Sequence, residues 1–167
     1  MEIHVTTDQW STLCSQPSAM IAFWENQFSK ILSEGMAEDE MQKYNSEQLT
    51  LIAYLTFRQE MLEGGMIQLI YNGYGPFVFF NPFAKAMRLW GLSDFASFIN
   101  KANKIYRKHR EEIEGRELSD KDFMALYELH PEMDKIDDVF VESEPEISHE
   151  IANFVASNPS NFGIVIK

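Results

Sequence analysis

The chain has 167 residues, with 26 acidic and 14 basic side chains and a formal net charge of −12, a field that disfavours nucleic acid and anionic membrane as partners. Its 45% apolar and 13% aromatic content excludes a disordered chain, and the length suits one domain. A single cysteine, Cys14, excludes an internal disulfide and a cysteine-based zinc site.

Residues 2–6 alternate loosely and predict a short strand. Phe162 to Ile166 predicts a second, pairing with the first or with a second subunit, and two strands alone must lean on helices. Met20, Phe23, Trp24, Phe28, Ile31 and Leu32 recur at helical spacing over 17–33, and Gly35 stops that helix. Glu38, Asp39 and Glu40 form an acidic linker. A second helix spans 45–62, opened by Asn45 with Gln48 three residues on, the spacing of a capping box. Its apolar residues cover nearly every face, which marks a central helix. A short helix follows Gly64-Gly65 and reaches about Asn72, and 73–76 is a turn.

Asn81-Pro82 opens a helix that Gly91 closes. Ser93 starts a long amphipathic helix with Phe95, Phe98, Ile99, Ala102, Ile105 and Tyr106 inward. Its Lys101, Lys104, Arg107, Lys108 and Arg110 are read as a solvated face; pairing with an acidic loop is the alternative. Ser119 with Asp122 starts a helix to about Leu129, ended by Pro131. Residues 132–147 read as loop or partly extended chain, and a last helix runs from Ser148 to Ala156. The expected fold is mostly α: a single-domain, bundle-like helical array over 1–167, with at most a small terminal two-stranded sheet and an acidic loop at about 130–148.

The glycine pair is the sharpest local signal. Each glycine inside a helix costs about 1 kcal/mol relative to alanine, so an apolar run interrupted by Gly64-Gly65 predicts a tight corner between two buried helices. Gln68 and Asn72, four apart on one face, are expected to satisfy the backbone groups left open there. This pattern resembles the signature of a family of small acidic bacterial proteins named for a DNA mimic. Gly64, Gly65, Gln68 and Asn72 match it; Glu63 stands where Asn is usual, Met66 where Phe is usual, and Leu69 and Ile70 where aromatics are common. The resemblance covers about residues 45–115. It implies a non-enzymatic homodimer that occupies the DNA-binding face of a transcription factor or another DNA-binding protein.

The residues that would carry such a role form an acidic run. Glu132, Asp134, Asp137, Asp138, Glu142, Glu144 and Glu146 lie together against Lys135 alone. In extended chain Glu142, Glu144 and Glu146 would share a face about 6.6 Å apart, and Pro145 biases Glu144 toward that geometry. Carboxylates at that pitch can meet the arginines, lysines and helix N-termini that otherwise hold phosphates. Glu38, Asp39 and Glu40, with Glu34 and Glu47, would extend the surface if the fold brings them alongside. The alternative is a solvated loop extended by self-repulsion.

Other chemistry finds little support. Glu146-x-x-His149 is one copy of a motif that di-iron bundles need twice. No calcium-loop order, nucleophile elbow or phosphate-binding glycine loop occurs. His4, His109, His130 and His149 are scattered and read as surface or capping residues. No metal, cofactor or catalytic residue is expected. The start of the chain lacks the regions of a signal peptide, and Phe77 to Phe80 is too short a run to span a bilayer, so a cytoplasmic protein with a basic or DNA-binding protein as partner, and no membrane or direct nucleic-acid contact, is expected. Two alternatives stay open: an immunity or inhibitor protein for a basic toxin or nuclease, and an enzyme with a carboxylate-lined cleft built on Glu60 and Glu63.

Overall fold

Gln48 joins three distant parts of the chain, and the fold of the termini follows from it. Its side-chain amide donates to the carbonyls of Met1 at 2.7 Å and Phe162 at 2.8 Å. Its carbonyl accepts from the Asn45 N–H at 3.2 Å, while the Asn45 side chain accepts from the Gln48 N–H at 2.9 Å, completing the expected box. A fully buried amide that satisfies two strand-end carbonyls brings those strands together. The computed structural model describes residues 1–37 and 39–167. In it β1 (Ile3–Val5) and β2 (Ile164–Ile166) pair in parallel, with Ile3 opposite Ile164, His4 opposite Val165 and Val5 opposite Ile166. Gly163 precedes β2 with φ +74°, and a Cβ there would collide with the Met1 carbonyl. The two strands thus pair within one chain.

Between them run ten α-helices among the described residues: α1 (Thr7–Ser15), α2 (Pro17–Gln27), α3 (Ser29–Glu34), α4 (Ser46–Glu63), α5 (Gly65–Tyr71), α6 (Gly75–Phe79), α7 (Phe83–Leu89), α8 (Ser93–Ile113), α9 (Asp120–Leu129) and α10 (Asp134–Ser157). The mostly α expectation holds. None of these helices is long and apolar enough to cross a membrane.

The chain divides into two compact units, 1–55 with 145–167, and 56–144. In the first, Trp24 stacks on Phe28 with centroids 5.4 Å apart and meets Phe162 at 6.0 Å, and Phe154 meets Phe162 at 6.2 Å. Tyr54 and Ser148 share a hydrogen bond of 2.7 Å. The short sheet leans on the same unit, with Ile3, Val5 and Ile164 of its strands buried. In the second unit Phe57 is the hub. It is fully buried, and its ring lies 5.2–6.4 Å from those of Phe79, Phe83, Phe95, Phe98 and Phe140.

Three expectations change. Helix α1 goes beyond the predicted terminal strand: Thr6 and Gln9 form a capping box that nucleates it. The helix predicted over 17–33 is broken at Phe28 into α2 and α3. The largest correction is the segment predicted as an acidic loop. Residues 134–157 form one helix, α10, with Pro145 inside it. Met133, Ile136 and Phe140 are buried in one unit, and Ile147, Ile151 and Val155 in the other. That three-and-four spacing is an apolar helical stripe, and its burial outweighs a proline whose intrinsic helix penalty is about 3 kcal/mol.

Candidate partner-binding surface

Helical rather than extended geometry rearranges the acidic run. In a helix a step of four residues rises about 6 Å and turns about 40° past one revolution. Asp134, Asp138 and Glu142 are spaced by that step and are all exposed. Val139 and Val141, each 52% exposed, lie among them. Asp134 sits in the first turn, where the helix dipole favours a negative charge. Glu132 stands just before the helix; its Oε1 lies 3.3 Å from Lys108 Nζ and 3.1 Å from His109 Nε2.

The proposed row of Glu142, Glu144 and Glu146 is therefore not a row. Glu144 is only 8% exposed and takes the Arg58 Nε–H at 2.6 Å. A residue two positions along a helix faces away, so Glu142 and Glu144 cannot share a surface. Glu146 is exposed but belongs to the other unit, as do Asp39, also exposed, and Glu40. Glu40 is held by Lys43 at 3.2 Å, and the hydrogen bond from that ammonium lowers its pKa. Glu38 lies outside the described residues.

Asp137 also turns inward, to the glycine corner. Helix α4 ends at Glu63 and α5 starts at Gly65, whose φ is +68°. The corner exists as expected, but its free backbone groups find other partners. The Met66 N–H donates to Asp137 Oδ1 at 2.9 Å, and the Tyr127 hydroxyl donates to the Gly64 carbonyl at 2.9 Å. Gln68 and Asn72 hold carboxylates instead: Gln68 Nε2 donates to Glu63 at 3.3 Å and Asn72 Nδ2 to Glu60 at 2.8 Å. Glu60 is 4% exposed, and its burial raises its pKa against these stabilising hydrogen bonds. This gives Glu60 a structural task in the corner and places it away from the surface.

Burial pushes Asp137 up to about 6, against the lowering influence of the Met66 N–H, with Asp134 and Asp138 adding repulsion. A carboxyl whose folded pKa exceeds its unfolded value stabilises the fold below the unfolded value of 3.8 and loses that contribution as pH rises through about 6. Asp137→Asn keeps an acceptor for Met66 and removes the charge. It should be more stable than the unsubstituted chain at pH 8, by roughly 1–2 kcal/mol after allowance for residual solvation, with the advantage vanishing near pH 4. Urea denaturation at both pH values checks this; an equal difference at both would remove the charge explanation.

The basic face of α8 is less free than expected. The guanidinium carbons of Arg107 and Arg110 each lie 5.3 Å from the Phe80 ring centre, a cation–π arrangement. Arg110 Nε lies 3.9 Å from Glu114, which accepts from the Tyr106 hydroxyl at 2.9 Å. Burial, with that hydrogen bond, pushes Tyr106 to about 12. Lys108 reaches the acidic segment at Glu132. The fold also brings together two histidines that are distant in sequence: His109 on α8 and His130 at the end of α9, with ring centres 4.7 Å apart and Glu132 beside them. No periodicity or spacing announces that meeting.

Residues 42–158 match the model of the DMP19-like protein family, a span that holds the central helix, the glycine corner and α10. The chain belongs to the DMP19-like family. A relative in Neisseria meningitidis serogroup B, the DNA mimic protein DMP19, is 30% identical over 118 residues, which are 71% of this chain and 72% of the relative. The DMP19-like match runs past the 45–115 expected from the glycine motif and takes in the whole Asp134–Glu142 series.

Proposed function

We propose that this DMP19-like chain is itself a DNA mimic, binding the DNA-contacting face of a transcription factor or other DNA-binding protein and competing with the duplex. The observation that carries the reading is the exposed series Asp134, Asp138 and Glu142 on one helix within the family-matched span. DNA-binding proteins hold phosphates with arginine, lysine and backbone N–H groups, and a carboxylate accepts the same charge-assisted bonds. Three carboxylates at ~6 Å steps span only about 12 Å of the helix, a short stretch compared with the continuous run of phosphates along a duplex. The mimicry therefore works by placing a few anions against particular cations, with exposed Val139 and Val141 offering an apolar component that salt does not screen. The net charge of −12 adds long-range attraction for a basic partner and repels nucleic acid. The action is binding rather than catalysis, and it belongs in the cytoplasm with the DNA-binding proteins it would meet.

The test begins with partner capture by the tagged chain at low and high salt, with and without duplex DNA. A DNA-binding protein that is recovered at low salt and released by duplex is the expected result. The combined variant Asp134→Asn, Asp138→Asn, Glu142→Gln should then bind that partner at least tenfold more weakly, since close interfacial charge pairs couple by about 1.5 kcal/mol or more, with a melting temperature shifted by no more than about 4 °C through the lost helix-dipole contact of Asp134. Unchanged affinity would discard this surface, and capture of a toxin nuclease would redirect the reading to an inhibitor.

A further inference from the structure

The histidine pair has a use that the mimic surface does not require. His109 is 6% exposed, and neither of its ring nitrogens makes a directed hydrogen bond among the described residues. Buried imidazole nitrogens without partners are unusual. Nε2 nonetheless points at company: Glu132 Oε1 lies 3.1 Å away, close enough for an ion pair but without hydrogen-bond alignment. His109, His130 and Glu132 each offer a donor atom, and the three donors lie within 4.8 Å of one another.

We propose that His109, His130 and Glu132 form a binding site for a divalent transition metal of the zinc class, clamping the end of α8 to the segment that joins α9 to α10. Two imidazoles and one carboxylate are a recurrent three-ligand set for Zn²⁺, with a fourth position for water. Bonds of 2.0–2.1 Å in a tetrahedron put neighbouring donors roughly 3.3 Å apart, close to the separation of His109 Nε2 from Glu132. Two imidazoles on one such ion have ring centres about 5 Å apart, which the 4.7 Å edge-on pair approaches. The second ring nitrogen of His109 faces Glu112 Oε2 at 3.6 Å, and a carboxylate behind a ligating histidine is the usual support for its orientation. Glu112 Oε2 is also 3.8 Å from His130 Nε2. Lys108, which shares Glu132 Oε1, is the cation a metal would displace; its side chain is largely exposed and free to swing away. Nitrogen ligands select Zn²⁺, Co²⁺, Ni²⁺ or Cu²⁺ over Mg²⁺ and Ca²⁺.

The full-length chain, stripped with a chelator, is titrated with Co²⁺ and then with Zn²⁺. The expected result is a single equivalent of Co²⁺ giving the intense visible band of a tetrahedral site, displaced by Zn²⁺ and not by excess Ca²⁺ or Mg²⁺, and a melting temperature raised by Zn²⁺. His130→Gln and Glu132→Gln, at the more exposed positions, should each weaken Zn²⁺ binding by at least a hundredfold and abolish the thermal shift. Absence of both band and shift overturns the proposal. So does equal binding by His130→Gln, which would assign the metal to the acidic surface at large.

Discussion

Gly65→Val should lower stability by about 3–5 kcal/mol. The left-handed backbone at φ +68° costs a residue with a Cβ roughly 1–2 kcal/mol, and a β-branched side chain more. A Cβ there would also press into the Asp137 carboxyl, 2.5 Å from its Cγ. That carboxyl cannot swing aside cheaply, because it is short, rooted on α10, and accepts the Met66 N–H. Moving it would leave a buried N–H unsatisfied, about 1–3 kcal/mol more. For a chain of this length the melting temperature should fall by about 10 °C. Gly115→Ala separates the two causes. Gly115 has a similar φ of +69° but nothing within 4 Å of the point a Cβ would occupy, so it should lose only about 1 kcal/mol. Equal midpoints for Gly65→Val and the unsubstituted chain would show that the corner is not built as described.

Phe57→Ala should cost about 3–5 kcal/mol, the range for removing a buried aromatic. Phe57 contacts five other rings, four from α6, α7 and α8 and one, Phe140, from α10. Edge-to-face and tilted ring pairs add to area burial, and rings held on separate helices cannot all collapse into the space left. Phe57→Leu, which refills most of the volume, should cost closer to 1 kcal/mol. The check is a urea midpoint that falls without a change in slope. A loss below 1 kcal/mol for the alanine variant would mean that the ring cluster is not the centre of its unit.

Local chemistry explains what could be read before the fold was known. Helix α4 begins with a box made by Asn45 and Gln48, and α9 begins with Ser119 capping the Asp122 N–H; such interactions span three residues and need nothing from the rest of the chain. The Gly64-Gly65 break works likewise, because φ freedom is a property of the residue itself. In α10 local and distant effects oppose each other. Pro145 and the density of carboxylates argue against a helix, and the stripe of Met133, Ile136 and Phe140 argues for one; the deciding energy is burial against partners distant in sequence. Once helical, the run sorts its own charges, sending Asp134, Asp138 and Glu142 outward while Asp137 and Glu144 go to Met66 and Arg58.

By itself, then, the sequence determined a mostly helical acidic chain, the starts of α4 and α9 and the glycine corner, because caps, propensities and net charge are properties of neighbouring residues. Tertiary structure alone decided which carboxylates of α10 are exposed and which are buried, which groups close the corner, that the two end strands pair with each other in parallel, and that His109 meets His130. Those outcomes depend on contacts between residues far apart along the chain, whose encounter no local pattern encodes.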